Sequence, residues 1–157
     1  MKSLSVDSSS KAETIDFGFR LGKRLHPGDV ILLSGDLGAG KTTLVSGVAK
    51  ALGIDDPVLS PTFNIMKCYF GGSLPLYHID AYRLEGQNIE IGLDEYIEGD
   101  GACFIEWPDY ISPLIPEEHL EIKLTNLGGD KRRLSLQAKG SEYEKLLEGL
   151  GDEHPLS

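Results

Sequence analysis

The spacing of apolar residues changes period along the chain, and each change marks a predicted element. Ser10-Lys11-Ala12-Glu13 has the spacing of a capping box, in which serine and glutamate satisfy each other's orphan amides, so a first helix is predicted to start there. Ile15, Phe19 and residues 22–25 continue one apolar stripe until His26-Pro27-Gly28-Asp29 stops it. Val30-Ile31-Leu32-Leu33 is apolar without alternation, which suits a strand buried on both faces of a parallel sheet. A second helix is predicted over 42–52, with Leu44, Val45, Val48 and Leu52 turned inward and Gly53 ending it.

A second apolar run, 74–79, leads into Asp80, and a third, Ala102-Cys103-Phe104-Ile105, ends in Glu106. The order of the run at 30–33, the helix at 42–52 and the run at 74–79 is that of a βαβ unit, and residues 89–97 suit a further short helix. The tail differs. Leu120-Glu121-Ile122-Lys123-Leu124 alternates, Gly128-Gly129-Asp130 turns and Leu134-Ser135-Leu136-Gln137 alternates again, which predicts an antiparallel hairpin. Ser141-Glu142-Tyr143-Glu144 then opens a last helix.

Composition narrows the class. The 157 residues suit one domain, with 1–9 and 151–157 expected as frayed tails; 40% hydrophobic and 25% charged residues are ordinary for a globular protein. A formal charge of −10 argues against broad binding to nucleic acid, because neutralising phosphates needs clustered Lys and Arg. The one local basic cluster, Lys131-Arg132-Arg133, follows the Gly-Gly turn and reads as a solvated hairpin end. No N-terminal stretch is apolar enough for a signal peptide or membrane span, so a cytosolic protein with no membrane partner is expected. Cys68 and Cys103 lie far apart without a CxxC and read as reduced core thiols, and His26, His78, His119 and His154 have no catalytic or metal spacing and read as structural or exposed.

The chemistry concentrates in Gly35-Asp36-Leu37-Gly38-Ala39-Gly40-Lys41-Thr42, a phosphate-binding loop set between a buried-type strand and a helix. Its small residues let backbone amides wrap a phosphate while the helix presents its positive end. Gly35, Gly38 and Gly40 permit the wrap, Lys41 reaches the β and γ phosphates, the Thr42 hydroxyl suits Mg²⁺, and Thr43 is an outer phosphate contact. A P-loop NTPase-like three-layer α/β fold follows, with a mostly parallel central sheet and a C-terminal antiparallel hairpin. Mg²⁺ also asks for a carboxylate at the end of a neighbouring strand; Asp80 and Glu106 both stand at such ends, and spacing does not choose between them. One can hold the metal while the other activates water. Thr62, in Ser60-Pro61-Thr62-Phe63, sits where a switch loop would sense the γ phosphate, and Trp107 follows Glu106 at the same end of the sheet. There is no Asn-Lys-x-Asp to read guanine and no Asp-x-x-Gly switch, which favours ATP; five arginines leave little for the arginine-rich lid of a small-molecule kinase.

Together, the loop with Thr43-Leu44, Ser60-Pro61-Thr62-Phe63, His78-Ile79-Asp80-Ala81-Tyr82-Arg83-Leu84, Gly92-Leu93-Asp94-Glu95-Tyr96 and Ile105-Glu106-Trp107-Pro108 resemble the TsaE family over about residues 10–148. The resemblance implies an accessory ATPase of bacterial tRNA threonylcarbamoyladenosine biosynthesis that acts on the TsaB and TsaD proteins and meets tRNA only through them. It implies that Asp36, Leu37, Gly38, Ala39, Gly40, Lys41, Thr42, Thr43 and Trp107 bind ATP, and that Thr42 and Glu106 ligate Mg²⁺. Asp80, Thr62 and Trp107 would serve the switch and hydrolysis site, with Lys41 and Glu106. Asn64 stands where many relatives of that family have threonine.

Overall fold

The computed structural model describes residues 2–35, 40–55, 57–58, 66–84 and 93–153. In chain order these form β1 (Lys2–Ser8), α1 (Lys11–Gly22), β2 (Val30–Ser34), α2 (Lys41–Ala51), β3 (Met66–Tyr69), β4 (Leu76–Asp80), α3 (Leu93–Ile97), β5 (Ala102–Glu106), β6 (His119–Gly128), β7 (Lys131–Lys139) and α4 (Ser141–Glu153). Short 3₁₀ turns follow β4 at Ala81–Leu84 and β5 at Pro108–Leu114.

The apolar runs at 30–33 and 102–105 become adjacent central strands because both of their faces must be covered. All seven strands form one sheet in the order β1-β7-β6-β2-β5-β4-β3. Pairings of β2 with β5 and β6, and of β4 with β5, are parallel; β1 with β7, β6 with β7, and β3 with β4 are antiparallel. The sheet is therefore evenly mixed, which corrects the expectation of a mostly parallel one: a parallel core carries antiparallel flanks on both sides. The C-terminal hairpin is β6–β7, with a bulge between Asn126 and Gly128.

The flanks also correct the expected N-terminal tail. Lys2–Ser8 pairs along β7 from Lys2 opposite Ala138 to Ser8 opposite Arg132, with Val6 and Ser8 buried. Only Leu4 and Val6 signal this strand among serines, too few apolar positions for a strand pattern. The Ser8 hydroxyl then meets the Thr14 hydroxyl at 2.7 Å and Ser10 O at 2.8 Å, tying the strand to the start of α1. At the other end α4 continues to Glu153, inside the segment expected to fray.

Alternation along the central strands divides the core. Ile31, Leu33 and Phe104 face α1, α2 and α4, whereas Val30, Leu32, Cys103 and Ile105 face α3 and the 3₁₀ turn after β5. Three layers result.

Ser10 caps α1 by accepting from Glu13 N–H at 3.1 Å, but the Glu13 carboxylate reaches back to Ser9 N–H rather than to Ser10. The buried face of α1 is Thr14, Phe17, Gly18, Leu21 and Gly22, about a quarter of a turn from the predicted stripe, with Ile15 and Phe19 half-buried at its edge. The glycines explain the offset. A β-carbon on Gly18 would stand 2.2 Å from Leu44 O, and one on Gly47 would stand 2.0 Å from Ile15 O, so α1 and α2 touch backbone to backbone. Helix α2 ends as predicted: Gly53 adopts φ +81, its N–H donates to Lys50 O, and Ile54 N–H donates to Ala49 O, a Schellman closure. Among the described residues no helix is long and apolar enough to cross a membrane.

Candidate functional site

Parallel pairing brings the carboxyl ends of three strands side by side, the usual ligand edge of such sheets. Leu33 of β2 is level with Glu106 of β5, which is level with Asp80 of β4. Gly35 leaves β2 at φ +143, and Gly40 begins α2 at φ +99 with no side-chain cap, both conformations that favour glycine. The uncapped first turn presents its amides and the positive end of the helix toward these strand ends, as an anion site requires.

Lys41 is the first residue of α2 and is buried. Its Nζ donates to Gly35 O at 2.9 Å and lies 3.2 Å from Glu106 Oε1. The other Glu106 oxygen, Oε2, lies 2.5 Å from His78 Nε2. A carboxylate only accepts, so the hydrogen sits on Nε2. His78 is fully buried, and its Nδ1 has no hydrogen-bond partner among the described residues. Burial alone would push the Glu106 carboxyl up; the His78 hydrogen bond and charge, with Lys41, outweigh it and hold the group below its ordinary range. Glu106 is thus ionised at neutral pH.

Asp80 behaves oppositely. Its Oδ1 accepts from Tyr82 N–H at 3.1 Å, which starts the turn after β4. Burial raises its carboxyl above the ordinary range despite that bond, and the charge of Glu106 adds to the rise. Two carboxylates at the same end of neighbouring strands are thereby driven apart, one held as an anion and one more easily protonated, the division used for acid–base work.

Trp107 directly follows Glu106 in a left-handed conformation, φ 57 and ψ 53, costly for a bulky residue and imposed next to Pro108, which disfavours the right-handed helical region for its predecessor. The strain places the indole 5.6 Å from Lys41 Nζ, stacked on Tyr110 at 8° and 5.1 Å from the Tyr82 ring. Trp107 is 43% exposed and Tyr82 52%, so an aromatic rim stands at the mouth of the site. From there a groove of about 560 Å³ runs along the opposite sheet face past Ser34, Pro108, Glu121 and Lys123.

Of the residues singled out from sequence, Lys41, Asp80, Glu106 and Trp107 converge, and Gly40, Thr42 and Thr43 stand at the head of α2. Asp36, Leu37, Gly38 and Ala39 lie outside the described residues, as do Ser60, Pro61, Thr62, Phe63, Asn64 and Gly92. Among the described residues no three of His, Cys, Asp or Glu gather as a metal cluster. The oxygen donors of Thr42, Glu106 and Asp80 could hold a hard cation that takes its remaining ligands from phosphate and water, as Mg²⁺ does. His78 is the residue that sequence reasoning missed. The signal was there: it precedes Asp80 by two positions, so strand alternation puts both on one face, beside the face of Glu106.

The family described as "Threonylcarbamoyl adenosine biosynthesis protein TsaE" matches residues 8–134. The tRNA threonylcarbamoyladenosine biosynthesis protein TsaE of Bacillus subtilis is 50% identical over 124 residues, 79% of this chain and 78% of that one. Its namesake from Treponema pallidum is 38% identical over 131 residues, 82% of this chain and 96% of that one. The crystal structure of Bacillus subtilis YdiB superposes with a TM-score of 0.85 at 41% identity, covering 97% of this chain and 96% of that one.

Proposed function

The chain belongs to the TsaE family, and from that premise we propose that it binds and hydrolyses ATP with Mg²⁺ as an accessory ATPase of tRNA threonylcarbamoyladenosine biosynthesis, working on a complex of TsaB and TsaD. The observation that carries this reading is the His78–Glu106–Lys41 network at the ends of β4, β5 and α2, beside the glycine that opens the helix. It is a phosphate-end arrangement: a buried cation at a helix N-terminus, held in place by a carboxylate that hydrogen bonding keeps ionised.

In this reading the Lys41 ammonium neutralises the β and γ phosphates, and first-turn amides of α2 with Thr43 hold the remaining oxygens. Glu106 and the Thr42 hydroxyl would hold Mg²⁺, which when bound would supply positive charge to offset that of the phosphates. His78 keeps Glu106 oriented from behind. Asp80, the more basic carboxylate, orients the attacking water and takes its proton as the water oxygen bonds to the γ phosphorus. The bond from that phosphorus to the bridging oxygen breaks, leaving ADP and inorganic phosphate. Trp107 packs over Lys41 and shields it from bulk water, which strengthens its field. A chain of charge −10 is poorly suited to hold tRNA alone, which supports action through protein partners.

Titrating ATP and GTP with Mg²⁺, read by the fluorescence of the single tryptophan, tests the nucleotide reading. ATP should saturate the signal, GTP should bind more weakly, and Lys41→Ala should weaken ATP by about tenfold or more, the loss of one charge-assisted contact. Equal affinity of Lys41→Ala and the parent chain would sink it.

A further inference from the structure

The two faces of the sheet are covered unequally. Leu32 pairs with Glu121 of β6, which stands opposite Gln137 of β7, and Ser34 pairs with Lys123. Paired residues share a face, so these polar side chains lie on the side that carries α3 and the 3₁₀ turn at Pro108–Leu114. The apolar residues buried under that layer come from β2, β4 and β5 and none from β6 or β7, where Glu121, Lys123 and Gln137 are exposed. The groove of about 560 Å³ follows this step: Pro108 and Asp109 line one side, Glu121, Lys123 and Gln137 line the bare sheet, and Trp107 stands at its head.

An aromatic surface adjoins the groove. The Tyr82 ring lies 5.1 Å from that of Trp107 and 6.1 Å from that of Tyr110. Among the described residues only Phe70 and Leu127 join Tyr82 and Trp107 as exposed large apolar side chains. Two of these four touch, and Trp and Tyr are the side chains that most often carry the binding energy of a protein contact. The charge around them selects the occupant. The sequence holds no Lys or Arg between Arg83 and Lys123, whereas Asp94, Glu95, Glu98, Asp100 and Asp109 are exposed on this layer. On the other face α1 and α4 mix their charges, pairing Arg20 with Asp16 and Lys145 with Glu142. A surface with carboxylates alone repels a phosphate backbone and attracts Lys and Arg, and guanidinium groups also stack on exposed rings.

Resting on the partner-dependent reading above, we propose that the Tyr82–Trp107–Tyr110 surface and the groove beside it dock a basic segment of a protein partner, whose cations meet the rings and the carboxylates of Asp109 and Glu121. The position joins docking to the chemistry. Trp107 directly follows Glu106, and its ring lies 5.6 Å from Lys41 Nζ. Tyr82 donates its N–H to Asp80 Oδ1 at 3.1 Å. A segment seated on the rim therefore touches neighbours of Lys41, Asp80 and Glu106 together, the arrangement that a partner-stimulated ATPase needs.

The test is the affinity of the full chain for immobilised cognate TsaB–TsaD complex in the presence of ATP and Mg²⁺, comparing Tyr82→Ala, Asp109→Lys and Glu142→Lys. Tyr82→Ala and Asp109→Lys should each weaken binding by about tenfold or more, as loss of an anchoring ring or reversal of a facing charge does. Glu142→Lys makes the same charge change on α4 and should stay within about twofold of the parent. Raising the salt concentration should weaken the parent more than Asp109→Lys. Titration with ATP alone, which Asp109→Lys should bind no more weakly than the parent, keeps misfolding from passing as lost docking, and this surface change serves if Tyr82→Ala folds poorly. Parent-like binding by both variants, with the parent itself binding the complex, overturns the inference and leaves the ATPase reading standing. An equal loss in Glu142→Lys makes the effect one of net charge and overturns it as well. Binding of isolated tRNA by the parent that Tyr82→Ala abolishes makes the surface a nucleic-acid site and overturns the basic-protein assignment. Failure of the parent to bind the complex overturns both the inference and the partner reading.

Discussion

Gly47→Ala puts the packing of α1 on α2 to a test in which the sign alone decides. In an ordinary helix interior the change would stabilise by about 1 kcal/mol, since alanine is the better helix former. Here the new β-carbon would stand 2.0 Å from Ile15 O and 2.9 Å from Phe19 N, whereas real β-carbons keep about 3 Å or more. Both neighbours are backbone, so no side chain can swing aside and the helices must part by on the order of 1 Å. Overpacking of this kind costs about 1–3 kcal/mol, and a rigid contact puts Gly47 at the upper end. Subtracting the propensity gain leaves a net loss of about 2 kcal/mol, which lowers Tm by roughly 4–8 °C in a domain of this size. Because α2 carries Lys41 at its first position, ATP affinity should fall as well. Thermal unfolding followed by circular dichroism gives the answer. A rise in Tm would mean that the backbone contact is not as close as described, and the account of α2 as a helix braced by glycines would fail.

Other perturbations read the site and its surroundings. His78→Leu deprives the buried Glu106 of one hydrogen bond and should lower stability by about 1.5–3 kcal/mol and partner-stimulated hydrolysis by roughly tenfold, with His78→Gln recovering part of both because its amide still donates; equal activity in all three would remove His78 from the machinery. Asp29 accepts from His26 N–H at 2.8 Å, and burial raises its carboxyl above the ordinary range. Its ionisation therefore costs folding free energy, absent below the unfolded pKa of about 3.9 and growing as pH rises through the folded value. Asp29→Asn should match the parent near pH 3 and exceed it in Tm at pH 7, and a gap of opposite sign or independent of pH would contradict this.

Much of the fold could be read from the chain because its central strands obey simple rules. The runs at 30–33 and 102–105 lack alternation and became the buried strands β2 and β5, and the alternating tail became β6–β7. The capping serine and Gly53 set the start of α1 and the end of α2 where local chemistry required. What was hidden depends on partners distant in sequence. β1 has two apolar positions and exists because β7 offers an unpaired edge; β3 pairs with β4 in the same way. The buried stripe of α1 was misplaced because glycines, which carry no hydrophobic signal, form its contact with α2. At the site, Lys41 with Glu106 was legible as loop plus strand-end carboxylate. His78 was not: it looked like a structural or exposed histidine until strand register placed it against Glu106.

The central claim is that this chain hydrolyses ATP in the service of a partner complex, and the most direct measurement is phosphate release by the purified protein with Mg²⁺, alone and with cognate TsaB–TsaD. The account predicts slow release alone, marked stimulation by the complex, and a loss of roughly 10²-fold or more in Lys41→Ala under the same conditions. No stimulation despite demonstrated complex formation, or near-parent hydrolysis by Lys41→Ala, would contradict it.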